Sequence, residues 1–238
     1  MDKLFHLIKG EIFRLFKYKI FFFGILVSVI WVIILGLSDK ATAESLAPSL
    51  VLMDAGLMSI ILLASSFFLE KQEGTLHALL VSPVSLSKVL IAKIVSAIFM
   101  GLISFILVIG CVMIVHGSKV NVFYLLFYTI IVILAHTSIG YVLILRAKDF
   151  MALLVACMGV ILLFMSPLLL MALDIVPSSL EFLVFLSPTY AGQVLVQSQF
   201  QMVDSSKIIL SIAYLILIPA ILYPLVVYKR FEKVAIEG

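Results

Sequence analysis

The stretch EKQEGTLHALLVSPVSLSKVLIAK, from Glu70 to Lys93, is a polar interruption between two long apolar runs. Its first four residues, EKQE at 70–73, end the earlier run abruptly. Gly74 and Thr75 then supply a flexible joint and a hydroxyl that can cap a following helix. The chain is therefore expected to leave the membrane at this point.

The helix after this joint must be short, because Pro83 follows it closely. Proline has no amide hydrogen and disfavours helical angles in the preceding residue, Ser82, which leaves room for about one or two turns from Leu76. Ser85 or Ser87 can cap a second helix that runs on into the next apolar segment. The stretch thus predicts a short helical elbow between two membrane spans.

The composition of the 238-residue chain excludes a soluble globular protein. Hydrophobic residues make up 64% of it and charged residues only 12%, so its surface would be lipid-like. The apolar runs are about 20 residues long without polar alternation, which favours transmembrane helices over a β-barrel. We predict an all-α, polytopic membrane protein with one transmembrane domain over 1–238. Six spans are placed at 20–37, 50–69, 94–115, 122–145, 150–173 and 208–228.

Basic residues orient these spans. With both termini in the cytosol, 13 of the 16 lysines and arginines fall in cytosolic segments, and the exceptions are Lys40, Lys119 and Lys207. Because basic loops stay inside, the sequence predicts cytosolic termini and a cytosolic 70–93 loop. Basic residues confined to membrane ends, without interleaved aromatic residues, also argue against nucleic-acid binding.

Residues 1–19 predict an amphipathic helix at the membrane interface. Apolar residues share one helical face, namely Leu4, Ile8, Ile12, Leu15 and Phe16. The opposite face carries Lys3, His6, Arg14 and Lys17. Such a helix is expected to lie along membrane lipid, with its basic residues towards anionic headgroups.

The segment 174–207 before the last span predicts an external helix or a shallow re-entrant hairpin. Ser187 and Pro188 form a typical helix start. Four residues beyond it are expected to dip into the membrane edge, Tyr190, Val194, Leu195 and Phe200. Four glutamines are expected to stay in water, Gln193, Gln197, Gln199 and Gln201.

Few polar residues fall within the spans, and four are candidates for a translocation path: Asp54, Ser65, Ser66 and His136. Asp54 lies about one turn inside the outer end of the second span, where a carboxylate is costly unless it reaches water or a partner. It can line the path, snorkel outward or take an interhelical hydrogen bond. The serines and His136 can equally join helices to one another.

The motifs of several enzyme classes are missing from the sequence. No glycine-rich phosphate loop with a following lysine occurs, so ATP hydrolysis by the usual route requires another chain. No histidine pair has zinc-protease spacing, and no Gly-x-Ser-x-Gly elbow is present. We therefore predict a non-catalytic membrane protein with no metal or cofactor of its own.

The 70–93 stretch resembles the loop between the second and third spans of ABC-2 type permeases, the membrane subunits of a class of ABC exporters. The matching residues are Glu70, Glu73, Gly74, Thr75, Leu76, Leu79, Leu80, Ser82, Pro83, Val84 and Lys93. Two residues depart from the family pattern: Gln72, where a second acid is common, and His77, where a glutamate is common. These departures bear on the polar contacts of the loop rather than on its backbone shape.

The resemblance implies a permease that moves a hydrophobic or amphipathic substrate, such as a drug or lipid, out of the cytosol. It implies a prokaryotic plasma (inner) membrane, a separate ABC ATP-binding subunit that holds ATP and Mg²⁺, and a second permease subunit in a homodimer or a paralogous heterodimer. The short helix would be a coupling helix. Its ATPase-docking residues would be Glu70, Glu73, Gly74, Thr75, Leu76, Leu79, Leu80 and Pro83.

Two other functions are compatible with the sequence. An ion-coupled secondary carrier or channel would need ionisable residues near mid-membrane together with broken helices. The sequence offers only Asp54 and His136 for that purpose. A non-transport membrane scaffold, or a haem-exporter-like subunit of cytochrome maturation, is the other alternative, since such permeases carry a similar loop.

Overall fold

The computed structural model describes residues 2–75, 84–173, 175–177 and 180–231. These ranges are mainly helical and contain no β-strand, which confirms the predicted all-α class. The helices are α1 (Asp2–Lys17), α2 (Ile20–Leu37), α3 (Lys40–Val51), α4 (Ser59–Gln72), α5 (Leu86–His116), α6 (Val122–Ile144), α7 (Phe150–Ala172), α8 (Glu181–Val184), α9 (Pro188–Gln197) and α10 (Ser205–Leu222). A π-helical segment, Leu52–Met58, joins α3 to α4, and a second, Tyr223–Val227, extends α10.

Six helical units in the described part of the chain are long and apolar enough to cross a membrane, as predicted. They are α2, the continuous unit Lys40–Gln72, α5, α6, α7 and the unit Ser205–Phe231, which we number as spans one to six. Span two begins earlier than residue 50 because Asp39 caps α3. The Asp39 carboxylate accepts hydrogen bonds from the N–H and the hydroxyl of Thr42, at 3.2 and 2.6 Å.

Spans two and four form the centre of the bundle. In their most apolar stretches, 67% and 56% of the residues are buried, against 22% in span one and 11% in each of spans five and six. The outward faces of these three peripheral spans carry large apolar side chains. Lipid or a second membrane subunit can cover such faces, because neither needs polar groups there.

Helix α9 packs inside the bundle rather than on its outer surface. Ser187 caps it, as predicted, by accepting a hydrogen bond from the N–H of Tyr190 at 3.4 Å. Every residue from Pro188 to Val196 is buried. A Cβ at Gly192 would lie 2.6 Å from Cδ2 of Leu52, so glycine permits the close approach of α9 to span two.

The prediction that Gln193 stays in water is wrong. The residue is only 8% exposed, and its Oε1 accepts a hydrogen bond from the hydroxyl of Ser49 at 3.3 Å. The helix turns it towards α3, where this bond satisfies one of its polar atoms. Tyr190, Val194 and Leu195 are likewise buried against protein instead of dipping into the membrane edge.

Helix α1 lies against α5 and α2, with a buried stripe that differs from the predicted apolar face. Glu11 and Leu15 are its most buried residues, whereas Phe16 is 38% exposed. The stripe is rotated from the apolar face because Glu11 is bonded to Lys93 of α5. A carboxylate therefore lies at the centre of the inward surface of this helix.

The order of spans places the 145–149 turn and the start of α10 on opposite membrane faces. We expect Lys148→Cys to be shielded from an impermeant thiol reagent in intact cells and Ser205→Cys to be labelled, because the sequence predicts that the basic ends of the spans face the cytosol. The parent chain is the control, since both of its cysteines, Cys111 and Cys157, are buried. Labelling of position 148 from outside would reverse the predicted orientation.

Candidate functional site

Lys93, in the third turn of α5, is the residue around which the site is built. Its side chain is 2% exposed, and its ammonium lies between two carboxylates. Glu70 of α4 accepts hydrogen bonds from Nζ through Oε1 at 2.6 Å and Oε2 at 2.5 Å. Glu11 of α1 accepts a third at 3.2 Å. One lysine thus joins span two, span three and the N-terminal helix.

Arg14 and Ser66 complete this arrangement. Arg14 Nη1 lies 2.7 Å from Oε1 of Glu11 and 3.6 Å from Oε2 of Glu70. The hydroxyl of Ser66 donates to Oε1 of Glu70 at 3.1 Å. Burial raises the pKa of Glu11 above its ordinary value, an effect that the charge of Lys93 opposes. Two carboxylates and two cations balance each other, and we call Glu11, Arg14, Glu70 and Lys93 the ionic cluster.

The ionic cluster constrains geometry more than it adds net stability. Desolvation of each charge offsets much of the attraction between them, but removal of one partner leaves a buried charge uncompensated, at a cost of about 3–5 kcal/mol. The ammonium of Lys93 is compact and has three donors, and all three point to carboxylate oxygens. The ends of spans two and three are therefore held in a definite position relative to α1.

The 70–93 loop begins with a tightly bonded helix end. Gly74 has a φ of 69°, the left-handed conformation that glycine adopts easily after the last helical turn. Its N–H donates to the carbonyl of Lys71 at 3.1 Å. The hydroxyl of Thr75 donates to the carbonyl of Glu70 at 3.1 Å. In the structure, Thr75 therefore caps the end of span two, a bond different from the predicted cap of a following helix.

A second tether holds the start of the loop to the end of α1. Lys17 Nζ lies 3.1 and 3.0 Å from the two carboxylate oxygens of Glu73, and the hydroxyl of Tyr18 donates to Oε2 at 2.6 Å. The hydrogen bond from Tyr18, with that from Lys17, lowers the pKa of Glu73. Desolvation, together with the same hydrogen bond, raises the pKa of Tyr18. Glu73 is therefore an ionised acid at the surface, with a side chain 38% exposed.

Half of the predicted docking residues can be placed. Leu76, Leu79, Leu80 and Pro83 lie outside the described residues, so their docking role stays a prediction. Glu73, Gly74 and Thr75 lie at the start of the loop, and a Cβ built at Gly74 would meet no atom of the described residues within 4 Å. Glu70 differs from the expectation, since its side chain is fully buried and its carboxylate is bonded inside the chain. At the far end, α5 begins after Ser85, whose hydroxyl makes no capping bond.

The four predicted path residues have separate partners. Asp54 is buried and bonded to Ser28 of span one at 2.5 Å, so it takes an interhelical hydrogen bond rather than snorkelling.

Ser65 donates to the carbonyl of Ile61 in its own helix. The ring nitrogens of His136 lie 2.8 Å from the carbonyl oxygen of Val132 and 3.2 Å from Oγ1 of Thr189. Ser66 bonds to Glu70, as described above. A role for these residues in transport stays a prediction.

Sequence reasoning missed Glu11 and the pairing of Lys93 with Glu70. Glu11 follows Leu4, Leu7 and Ile8 at helical spacing, so it lies on the inward side of α1. An acid in that stripe, together with a lysine that leads into an apolar run, is the signal that could have found the cluster. The distance between them along the chain, 82 residues, gave no local cue that they pair.

We expect Lys93→Ala to lower the stability of the folded chain by about 3–5 kcal/mol, since two buried carboxylates lose their shared cation. Thermal unfolding of the purified protein in detergent measures the effect. The exposed Lys88→Ala is the matched control. The double variant Lys93→Met with Glu70→Gln should recover much of the loss, because Glu11 keeps Arg14. An unchanged unfolding temperature for Lys93→Ala would contradict a structural role for the ionic cluster.

The family model described as ABC-2 family transporter protein matches residues 36–228. The match begins at the end of span one and covers spans two to five, most of span six and the whole 70–93 loop. No curated protein matches the chain. A match of this extent identifies a membrane component of an ABC-type transport system, a family that works with an ABC ATP-binding partner. This integral membrane protein, with its ionic cluster at the base of spans two and three, belongs to the ABC-2 family of transporter proteins.

Proposed function

We propose that this chain is the permease subunit of an ABC exporter and that its 70–93 loop transmits the work of ATP hydrolysis to the membrane spans. The observation that carries the proposal is the ionic cluster. Glu70 precedes the loop and Lys93 ends it, and their salt bridge holds the two ends together beside α1. A force applied to the loop would therefore reach spans two and three together.

The physical basis is a rigid connection between the loop and the spans. Lys93 and Glu70 lie on two different spans, and Glu11 adds the N-terminal helix to the same body. Lys17 and Tyr18 tie the loop start to α1 as well. Closure of two ATPase subunits would tilt this body as one unit and switch the central path between inward-facing and outward-facing states.

Docking would use the leucines of the loop and its surface acid. Leu76, Leu79 and Leu80 fall in an otherwise polar stretch, and a groove on the ATPase would bury them. Because Glu70 is buried, we assign the orienting charge at the surface to Glu73 alone. Glu70 instead positions the loop from inside.

Two such chains, homodimeric or paralogous, would form the translocation path about a twofold axis. The peripheral spans one, five and six leave broad apolar faces that lipid and the second subunit would share. The ATP-binding subunits would lie on the cytosolic side and hold ATP and Mg²⁺. Cytosolic termini accord with the basic span ends. The resemblance to ABC-2 permeases implies a prokaryotic plasma (inner) membrane, and an apolar path would suit a hydrophobic or amphipathic substrate.

The docking role of the loop is tested by Leu76→Ala combined with Leu80→Ala. Burial of one aliphatic side chain is worth about 1.5–3 kcal/mol, so each lost anchor should weaken ATPase association by about tenfold or more. We expect much reduced co-purification with the ATPase, or ATP hydrolysis that no longer drives transport in vesicles. The amount of protein inserted in the membrane should be normal.

Lys119→Glu, an exposed change in an outer connection, is the control for that experiment. It should leave both association and transport at the parental level. If the double alanine variant binds the ATPase and transports like the parent, the loop is only a connector and the proposed mechanism is wrong.

The helix end at Gly74 gives a separate test of transmission. Proline cannot adopt a φ of 69°, so Gly74→Pro should change how the loop leaves span two while keeping its leucines. We expect the ATPase to co-purify with this variant and the ratio of transport to ATP hydrolysis to fall several-fold. Asparagine tolerates the left-handed conformation, so Gly74→Asn is the matched control and should stay near the parental ratio. Equal ratios for both variants would argue against a rigid connection.

A further inference from the structure

Asp54 is a buried carboxyl group that the transmission mechanism does not use. It lies in the π-helical segment of span two and is 6% exposed. Its Oδ2 lies 2.5 Å from the hydroxyl oxygen of Ser28 in span one. Within the described residues, no lysine, arginine or histidine forms an ion pair with it. An ionised carboxylate in this position would be a membrane-buried charge without a counter-ion, which is costly.

The hydrogen bonds of Ser28 indicate where the proton is. Its hydroxyl oxygen lies 2.5 Å from Asp54 Oδ2 and 3.1 Å from the carbonyl oxygen of Gly24. The hydroxyl has one hydrogen, so it can donate fully to only one of these two oxygens. If Asp54 carries a proton, it donates to Ser28, and Ser28 donates to Gly24. A neutral Asp54 therefore satisfies both short contacts, and an ionised Asp54 does not.

Within the described part of the chain, the cavity wall around Asp54 carries no other titratable group. Span one faces it with Gly24, Ile25 and Ser28, and span three with Met100, Gly101, Ile103 and Ser104. On span four, the nearest titratable side chain is His136, which packs beside Gly56. Both ring nitrogens of His136 are engaged elsewhere, with Val132 and Thr189.

A small cavity adjoins the carboxyl group, and four polar residues interrupt its mainly apolar walls. Asp54, Ser28, Ser59 and Ser104 line it, and its volume of about 10 Å³ is close to what one water needs. Ser104 is 5% exposed, and its hydroxyl lies close to the Asp54 carboxyl group but makes no well-formed hydrogen bond among the described residues. A buried, unpartnered hydroxyl beside Asp54 is what a bound water would satisfy.

A second cavity lies next to this one, on the side of the ionic cluster. Its volume is about 20 Å³, and it shares Ser59, Leu62 and Met100 with the first. Its other wall includes Glu11 and Lys93. Ser66 of span two and Ser96 of span three line it as well, so hydroxyl groups continue along the contact between these two spans. Two small cavities with shared wall residues therefore lie in succession between Asp54 and the base of the bundle.

We propose that Asp54 is a proton-binding site, neutral in this conformation, that exchanges its proton with water in these two cavities. Release breaks the O–H bond of the carboxyl group, leaves the electron pair on Asp54 and passes H⁺ to a cavity water. The hydroxyls of Ser104 and Ser59 hold that water. The path continues towards Lys93 and Glu11, so the exchange opens to the side of the membrane where the 70–93 loop lies.

Infrared spectroscopy of the purified full chain in lipid at neutral pH tests whether Asp54 is neutral and exchanges its proton. The carbonyl stretch of a neutral carboxyl group is separate from the bands of a carboxylate, and it shifts in D₂O when the proton exchanges. We expect one such band in the parent, shifted in D₂O and absent from Asp54→Asn. The asparagine amide can donate to Ser28 as the neutral acid does, so this variant should fold. Ser28→Ala should keep the band and move its frequency, because the carboxyl group loses its acceptor.

Three results would overturn the proposal. The absence of any difference between the parent and Asp54→Asn in the neutral-carboxyl region would mean that Asp54 is ionised. A band of Asp54 that never shifts in D₂O would mean that no water reaches it. Loss of the band when Na⁺ is added at constant pH would assign the site to a metal cation. The measurement uses this chain alone, so it is independent of whether the 70–93 loop docks on an ATPase.

Discussion

Lys93 carries a positive charge into the interior of a helical bundle, and α1, span two and span three are arranged around that charge. A single carboxylate would neutralise the charge but leave a donor of the ammonium without a partner. Glu70 and Glu11 together supply three oxygens, and Arg14 compensates the second acid. Since these groups come from α1, span two and span three, satisfying one buried cation fixes the positions of three helices.

Beyond the ionic cluster, spans one, two and three meet along a seam of small and hydroxylated residues. Ser59, Ser66, Ser96 and Ser104 lie along it, and Gly24 and Gly101 allow close packing. A Cβ at Gly101 would lie 2.4 Å from Cδ1 of Ile133, and one at Gly24 would lie 2.7 Å from Cε of Met100. Hydroxyls and glycines in a membrane bundle let backbones approach and still bond to one another. The seam therefore places hydroxyl groups between otherwise apolar spans.

The outer half of the bundle is organised by α9. Its small and polar residues meet three other elements: Gly192 approaches Leu52, Gln193 bonds to Ser49, and Thr189 lies beside His136. The helix thus joins the upper part of span two to span four. Near the outer surface, Glu181 accepts hydrogen bonds from Tyr190 and Lys207, and the bond from Lys207, with that from Tyr190, lowers the pKa of Glu181. The packing of α9 inside the bundle and this polar group beside it hold the segment before the last span together.

The sequence by itself determined the class, the number of spans and most of their bounds. Spans one, four and five begin at the predicted residues, because hydropathy and helical length are properties of one segment and need no neighbour. The cap at Ser187 likewise depends only on residues close to it in the sequence. The tertiary structure decided which side chains meet. Glu70 points inward and bonds to Lys93, and Glu11 lies on the inward face of α1, where only apolar residues were expected. Gln193 is buried and bonds to Ser49, although it was expected to stay in water. These contacts join residues 23 to 144 positions apart, and their energies depend on burial that only the assembled bundle creates.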